Sequence, residues 1–468
     1  DAMSDPYLKE RSSDIRDVAQ RLLYHLTQQV EDNINLPDKL ILVAKEVTLS
    51  MLASIPSEKL HGIVSVVGGV SSHVAILARA LGIPAVMGVA FSLENTHQKS
   101  LIIDGYAGLA ILLPDPALLT HYQSVLAEEE ELKKLVESDQ SEKAVTVDGH
   151  SIAIMLNTGL NANQHGTISG HFEGVGLYRS ELPFMLKDSF PTEQEQFQAY
   201  QLLLDQYANL PVTMRTLDIG GDKQLSYFPI VEDNPFLGWR GIRLTLDHPE
   251  IFLVQIRAML KASIKHRNLR IMLPMITSIE EVDESKRLIT QAWNEIKFES
   301  GYSSEFFPLP PIGVMIEVPA AIFMIPALAE KVDFVSIGSN DLIQYLLAVD
   351  RNNSRVASLF DSYHPAVLHS LKIIIDNCHR FGLEVSICGE LAGDTIGALI
   401  LIGLGYNKLS MNSYNVGRIK YLINALSRAE LEECVDLALQ AKNGKDIRTL
   451  FIAYLERKGL GKFIRTGK

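Results

Sequence analysis

The chain has 468 residues, of which 47% are hydrophobic and 21% charged, and its formal net charge is −13. That length favours two or three domains, one of them large enough for a barrel, while the acidic balance excludes a nucleic-acid surface and an anionic membrane partner, so an anionic substrate must be captured by a local arginine cluster. No apolar run approaches the roughly 18–20 residues of a bilayer span, and three cysteines (Cys378, Cys388, Cys434) without a Cys-x-x-Cys pair suit a reducing cytoplasm.

Residues 5–30 have helical spacing of apolar positions and no interior glycine or proline, which predicts an amphipathic helix within an N-terminal segment, 1–35. The chain opens at Asp1 rather than methionine, as a piece of a longer protein would. From Leu36 the texture changes to short β-rich runs at Leu40–Val43, Gly62–Val67, Ala85–Val89 and Leu101–Leu113, predicting a small α/β domain over 36–118. A polar helix from His121 to about Lys143, containing Glu128-Glu-Glu-Glu131, reads as a solvated linker within 119–145. Beyond it, strand candidates alternate with helical stretches: 152–156, 174–178, 212–216, 269–275, 312–316, 334–337, 384–387 and 408–411. Eight strand-then-helix units over 146–468 predict a C-terminal (βα)8 TIM barrel, whose chemistry belongs where strands end and loops begin.

Four groupings carry chemistry. His73, in Gly68-Gly-Val-Ser-Ser-His73, falls where a strand gives way to a helix, and free N–H groups with the positive end of the helix dipole favour a phosphoryl group carried on its ring. Arg179, Arg215, Arg240 and Arg351 follow strand candidates; a guanidinium recognises phosphate and carboxylate oxygens in pairs, although any one of them could equally serve a rim ion pair. Glu317 and Asp341, the latter beside Asn340, come from adjacent strand ends and supply hard oxygen ligands of the kind that hold Mg2+. Cys388, after the seventh barrel strand, reads equally as a buried structural thiol or as an acid or base at the catalytic mouth.

These motifs resemble one family over essentially the whole chain: Enzyme I of the phosphoenolpyruvate:sugar phosphotransferase system. The resemblance is carried by Gly68-Gly-x-Ser-Ser-His73, Arg215-Thr-Leu-Asp-Ile-Gly-Gly-Asp-Lys223, Asn234-Pro-Phe-Leu-Gly-Trp-Arg240, Gly338-Ser-Asn-Asp-Leu-Ile-Gln-Tyr345 and Cys388-Gly-Glu-Leu-Ala-Gly-Asp394. Departures are Val70, where the sugar enzymes usually carry arginine, and Asn352, where they usually carry glycine; Ala80 to Gly88 looks more like the nitrogen-related branch. The resemblance implies a swivelling phosphohistidine domain and a phosphoenolpyruvate-binding barrel. It also implies Mg2+-dependent transfer of the phosphoryl group from phosphoenolpyruvate to His73 with release of pyruvate, then onward transfer to an HPr-type carrier. By the same resemblance Glu317 and Asp341 bind Mg2+, while Arg179, Arg215, Arg240, Asn340 and Arg351 hold phosphoenolpyruvate. Cys388 then protonates the enolpyruvate, residues 1–35 are the remnant of a carrier-docking subdomain, and the barrel dimerises. A dikinase or synthase with similar domains would need an ATP-grasp domain, for which no segment has room.

Overall fold

The computed structural model describes residues 36–48, 51–52, 55–56, 59–67, 74–75, 78, 83–90, 96–97, 99–105, 107–138, 143–159, 171–185, 187–221, 223, 225, 227–353 and 355–465. The helix expected over 5–30 and the candidate His73 lie outside the described residues. The chain divides into two compact units, Asp1–Tyr122 and Gln123–Lys468.

The first unit holds a parallel three-stranded sheet of β1 (Leu40–Ala44), β2 (Leu60–Ser65) and β3 (Ala85–Met87), in that order. The central strand β2 is buried at all but one position, and Ile63 packs with Val47, Leu52, Leu60, Val74 and Ala78 in a small core. The β-rich run over Leu101–Leu113 is an antiparallel hairpin of β4 (Leu101–Asp104) and β5 (Leu109–Leu112). The turn explains the break: Asp104 Oδ1 accepts the Ala107 N–H at 2.9 Å, and Gly108 sits at φ 67°, which costs glycine little. The linker helix is offset from its expected span, running Pro116–Ser138.

The second unit is the expected barrel. Eight parallel strands close in the order β10-β11-β12-β13-β6-β7-β8-β9, where β6 is Ala153–Thr158, β7 Val175–Tyr178, β8 Val212–Arg215, β9 Leu269–Leu273, β10 Ile312–Ile316, β11 Phe334–Ile337, β12 Glu384–Ile387 and β13 Lys408–Met411. Strands covered on both faces need apolar side chains on both, which is why β7, β8, β10 and β11 are buried at every position. Outward residues such as Ile271, Val314, Val335 and Ile387 join the helices in one large core, whereas Leu177, Met272, Met315, Phe334 and Cys388 form a separate apolar cluster. Helix boundaries follow local chemistry. Ser278 and Glu281 form a capping box that starts Ile279–Ser300, and Gly301 at φ 70° ends it. The apolar run Ile396–Gly405 becomes helix Thr395–Leu404, buried at all ten positions. Among the described residues no helix is long and apolar enough to cross a membrane.

Candidate active site

The strand ends of the barrel gather a dense cluster of buried charge. Arg215 is the last residue of β8, and Asp218 follows one turn of chain later, where Leu217 N–H donates to Gln255 Oε1 at 2.8 Å. Asp218 is fully buried and is the hub of the site. Arg215 Nη1 lies 3.0 Å from its Oδ2, Lys223 Nζ 2.6 Å from the same oxygen, and Arg240 Nε 3.1 Å from Oδ1. Glu181, at the end of the stretch after β7, takes Arg215 Nη2 at 2.7 Å and Lys223 Nζ at 2.9 Å. Burial alone would raise both carboxyls, but Arg215 and Lys223 outweigh it for Glu181, and with Arg240 they outweigh it for Asp218; both are held below the ordinary carboxylate range. The chain approaches itself too closely here for a side chain at 241. Gly241 sits at φ 57°, and a Cβ there would come within 2.9 Å of Met275 Cγ and 3.2 Å of Asp218 Oδ1.

Glu317 follows β10 and is fully buried. Its Oε1 accepts the Met275 N–H at 2.7 Å, from a residue held at φ 57°, a conformation costly for a non-glycine side chain. Its Oε2 is buried with no hydrogen-bond partner among the described residues, and a Cβ at Gly338 would lie 2.9 Å from that oxygen. Burial, then the charges of Asp341 and Asp218, push the Glu317 carboxyl up to about 8. Asn340 and Asp341 occupy the first turn of helix Ser339–Leu347, which follows β11. Burial opposes ionisation of Asp341, yet Arg240 and Arg351 hold its carboxyl below the usual range. Arg351 Nη2 stands 3.9 Å from Asp341 Oδ1, and Asn340 Oδ1 accepts the Glu390 N–H at 3.1 Å.

Cys388 follows β12 and its side chain is buried among the apolar cluster. Its thiol lies 3.5 Å from the Ile337 carbonyl oxygen, and its own carbonyl accepts from Asn157 Nδ2 at 2.9 Å. Burial pushes this thiol up to about 11, against the pull of Ser336 and Arg215. Arg215 and Glu317 both act on it electrostatically, so the thiol borders the charged cluster from the apolar side.

The sequence-designated residues are therefore brought together in large part. Arg215, Arg240, Glu317, Asp341 and Arg351 share one network, Asn340 is next to Asp341, and Cys388 faces the network electrostatically. Arg179 is exposed just past β7 and acts on the Cys388 thiol. Asp218, Glu181, Lys223 and Tyr345 were not singled out from sequence. The first three lie in the stretches that supplied Arg179 and Arg215, where an acid three residues after Arg215 was the available signal.

A family described as "PEP-utilising enzyme, PEP-binding domain" matches residues 133–428, and one described as "PEP-utilising enzyme, mobile domain" matches 36–108. A protein of Salmonella typhimurium strain LT2 named "Phosphoenolpyruvate-dependent phosphotransferase system" is 47% identical over 466 residues, and one of the same name from Escherichia coli K12 is 48% identical over 466 residues. Each alignment takes in 100% of this chain but 62% of the relative, so the chain spans under two thirds of their length. The "Phosphoenolpyruvate-protein phosphotransferase" of Staphylococcus carnosus is 37% identical over 461 residues, covering 97% of this chain and 79% of its own. With both halves matched in that order, the chain belongs to the PEP-utilising enzymes, in the family of the phosphoenolpyruvate-protein phosphotransferases.

Proposed function

We propose that this chain transfers the phosphoryl group of phosphoenolpyruvate to His73, releasing pyruvate, and passes the group on to an HPr-type carrier protein. The observation that carries the reading is the pairing of a fixed cation cluster with a buried carboxylate oxygen, Glu317 Oε2, that has no partner among the described residues. An anionic substrate and a divalent cation satisfy both at once. Glu317 and Asp341 fit Mg2+, a hard cation that takes few protein carboxylates and completes its shell with water and substrate oxygens. Bound there, the ion neutralises phosphoryl charge.

The protein's own work is alignment and charge placement, since phosphoryl transfer asks little covalent chemistry of it. Arg179, Arg215, Asn340 and Arg351 hold the phosphoryl and carboxylate oxygens, and Arg240 completes the positive field behind them. Glu181 and Asp218 fix the Arg215 guanidinium before substrate arrives, so no reorganisation is needed at the moment of reaction. His73, within the mobile-domain match, attacks the phosphorus in line and its ring nitrogen takes the group as the enol oxygen leaves. Cys388 keeps its proton at neutral pH and delivers it to carbon 3 of the enolpyruvate, making the ketone and rendering transfer forward-going. We further propose a homodimer through the barrel and a cytoplasmic location. Intact-protein mass after incubation with phosphoenolpyruvate and Mg2+ tests the reading. One acid-labile phosphoryl group is expected, absent in His73→Ala; no mass gain, or a gain surviving that substitution, overturns it.

A further inference from the structure

We infer that Arg240 acts through Asp341, as a positioning residue that fixes the metal-binding carboxylate, and does not itself touch the substrate. The inference rests on the reading that Glu317 and Asp341 hold a divalent cation. A guanidinium has five N–H donors, one on Nε and two on each Nη, and in this protein all five are spent. Nε donates to Asp218 Oδ1 at 3.1 Å, and Nη2 to Asp218 Oδ2 at 3.3 Å. Nη2 donates again, to Asp341 Oδ2 at 3.0 Å, and Nη1 to Asp341 Oδ1 at 3.3 Å. The remaining Nη1 hydrogen goes to Tyr345 Oη at 3.4 Å. Tyr345 cannot easily turn away, because its hydroxyl donates to the Phe236 carbonyl at 2.5 Å. Arg240 is 0% exposed, so no face of it remains for a ligand.

Arg215 differs in the respect that matters: its Nε is buried without a partner among the described residues, leaving it a donor to give. Arg351 is partly exposed and reaches Asp341 only at 3.9 Å. Two carboxylates thus grip Arg240 along two edges of its plane, and the edge on Asp341 is a parallel pair of N–H bonds. Each Asp341 oxygen spends one lone pair on Arg240 and keeps the other, in a carboxylate plane that cannot rotate. That is how a partner of a metal ligand sets its orientation. Asp218 anchors the other edge, tying the metal carboxylate to the Arg215 and Lys223 network.

Arg240→Lys separates this role from substrate binding, since lysine keeps the charge but cannot form two parallel pairs. Mn2+ binding to the full chain, measured by electron paramagnetic resonance without phosphoenolpyruvate, should weaken by about 10- to 100-fold. Phosphoenolpyruvate binding by calorimetry at saturating metal should be little changed. Unaltered Mn2+ affinity with weakened phosphoenolpyruvate binding overturns the inference. If a thermal scan shows that Arg240→Lys does not fold, Tyr345→Phe carries the test: it removes one acceptor of Arg240 and should weaken Mn2+ binding in the same direction, and unchanged affinity there is equally fatal. Asp341→Asn separates the two layers of the argument. Lost Mn2+ binding in Asp341→Asn beside normal binding in the Arg240 and Tyr345 variants overturns this inference alone, whereas retained binding in Asp341→Asn overturns the metal assignment and the inference with it.

Discussion

Replacing Arg215 by methionine would keep most of the side-chain volume and delete the cation between two buried acids, Glu181 at 2.7 Å and Asp218 at 3.0 Å. Breaking a buried ion pair from one side typically costs about 3–5 kcal/mol because the other charge is left uncompensated. Lys223 still contacts both acids and Arg240 still contacts Asp218, so the cost should fall near the lower end, about 3 kcal/mol. The pH dependence is more diagnostic than the size. In the native protein both carboxyls are held below their ordinary values, so their contribution is present above the unfolded pKa and is lost as pH falls through the folded one. Without Arg215, burial is opposed only by Lys223, and at Asp218 by Arg240 as well, so each folded pKa moves upward. A carboxyl raised above its unfolded value then destabilises the variant increasingly as pH climbs from the unfolded to the folded pKa. The stability gap between wild type and Arg215→Met should therefore be larger at pH 8 than at pH 5, by about 1.4 kcal/mol for each unit by which a folded pKa exceeds pH 5. Urea unfolding of both proteins at the two pH values measures it. A gap that is the same at both, or larger at pH 5, refutes the claim that these acids depend on Arg215.

Cys388→Ala should bind phosphoenolpyruvate normally but form pyruvate about 10²- to 10⁴-fold more slowly, the usual cost of a missing general acid; wild-type pyruvate release would return Cys388 to a packing role. With its pKa pushed up to about 11, the same thiol should react with iodoacetamide at pH 8 about 200-fold more slowly than a free cysteine, from thiolate fraction alone. Mass-mapped alkylation at the free-cysteine rate would contradict that burial. Glu317→Gln should weaken Mg2+-dependent phosphoenolpyruvate binding, since it removes one of two charged ligands; normal metal dependence in calorimetry would sink the assignment.

The barrel was legible because its strands are covered on both faces, so Ile312–Ile316 and Phe334–Ile337 stand out as apolar runs between helical stretches. Strand limits were less so. The expected span 269–275 ends at Leu273 because Met275 turns to φ 57° to reach Glu317, a demand set by a residue 42 positions away. Cys388 shows a different limit. Its position after a strand allowed two readings, and the structure contains elements of both: an apolar cluster around the side chain and the fields of Arg215 and Glu317 beside it. Arg215, Arg240 and Arg351 meet through Asp218 and Asp341, but which of them has donors to spare was not written locally. The partners that exhaust Arg240 lie 22, 101 and 105 residues away.

By its total charge of −13 the chain is poorly suited to the anionic substrate proposed for it, and the site explains why the total is the wrong quantity. Arg215, Arg240 and Lys223 are each held by Asp218 within 2.6 to 3.1 Å, in a strand-end cluster where Asp218 itself is fully buried. Burying so many charges costs more than an apolar core of the same volume would, and nothing in the fold requires it. The gain comes when charge moves: cations already oriented in a low-dielectric mouth stabilise a transferring phosphoryl group more than the same cations on flexible surface side chains. Asp218 subtracts one unit of charge from that field, yet it is the carboxylate that contacts all three cations, where Glu181 reaches Arg215 and Lys223 and Asp341 reaches Arg240. Its replacement by asparagine would raise the formal positive charge and still weaken the site, because repulsion would drive the guanidinium planes apart.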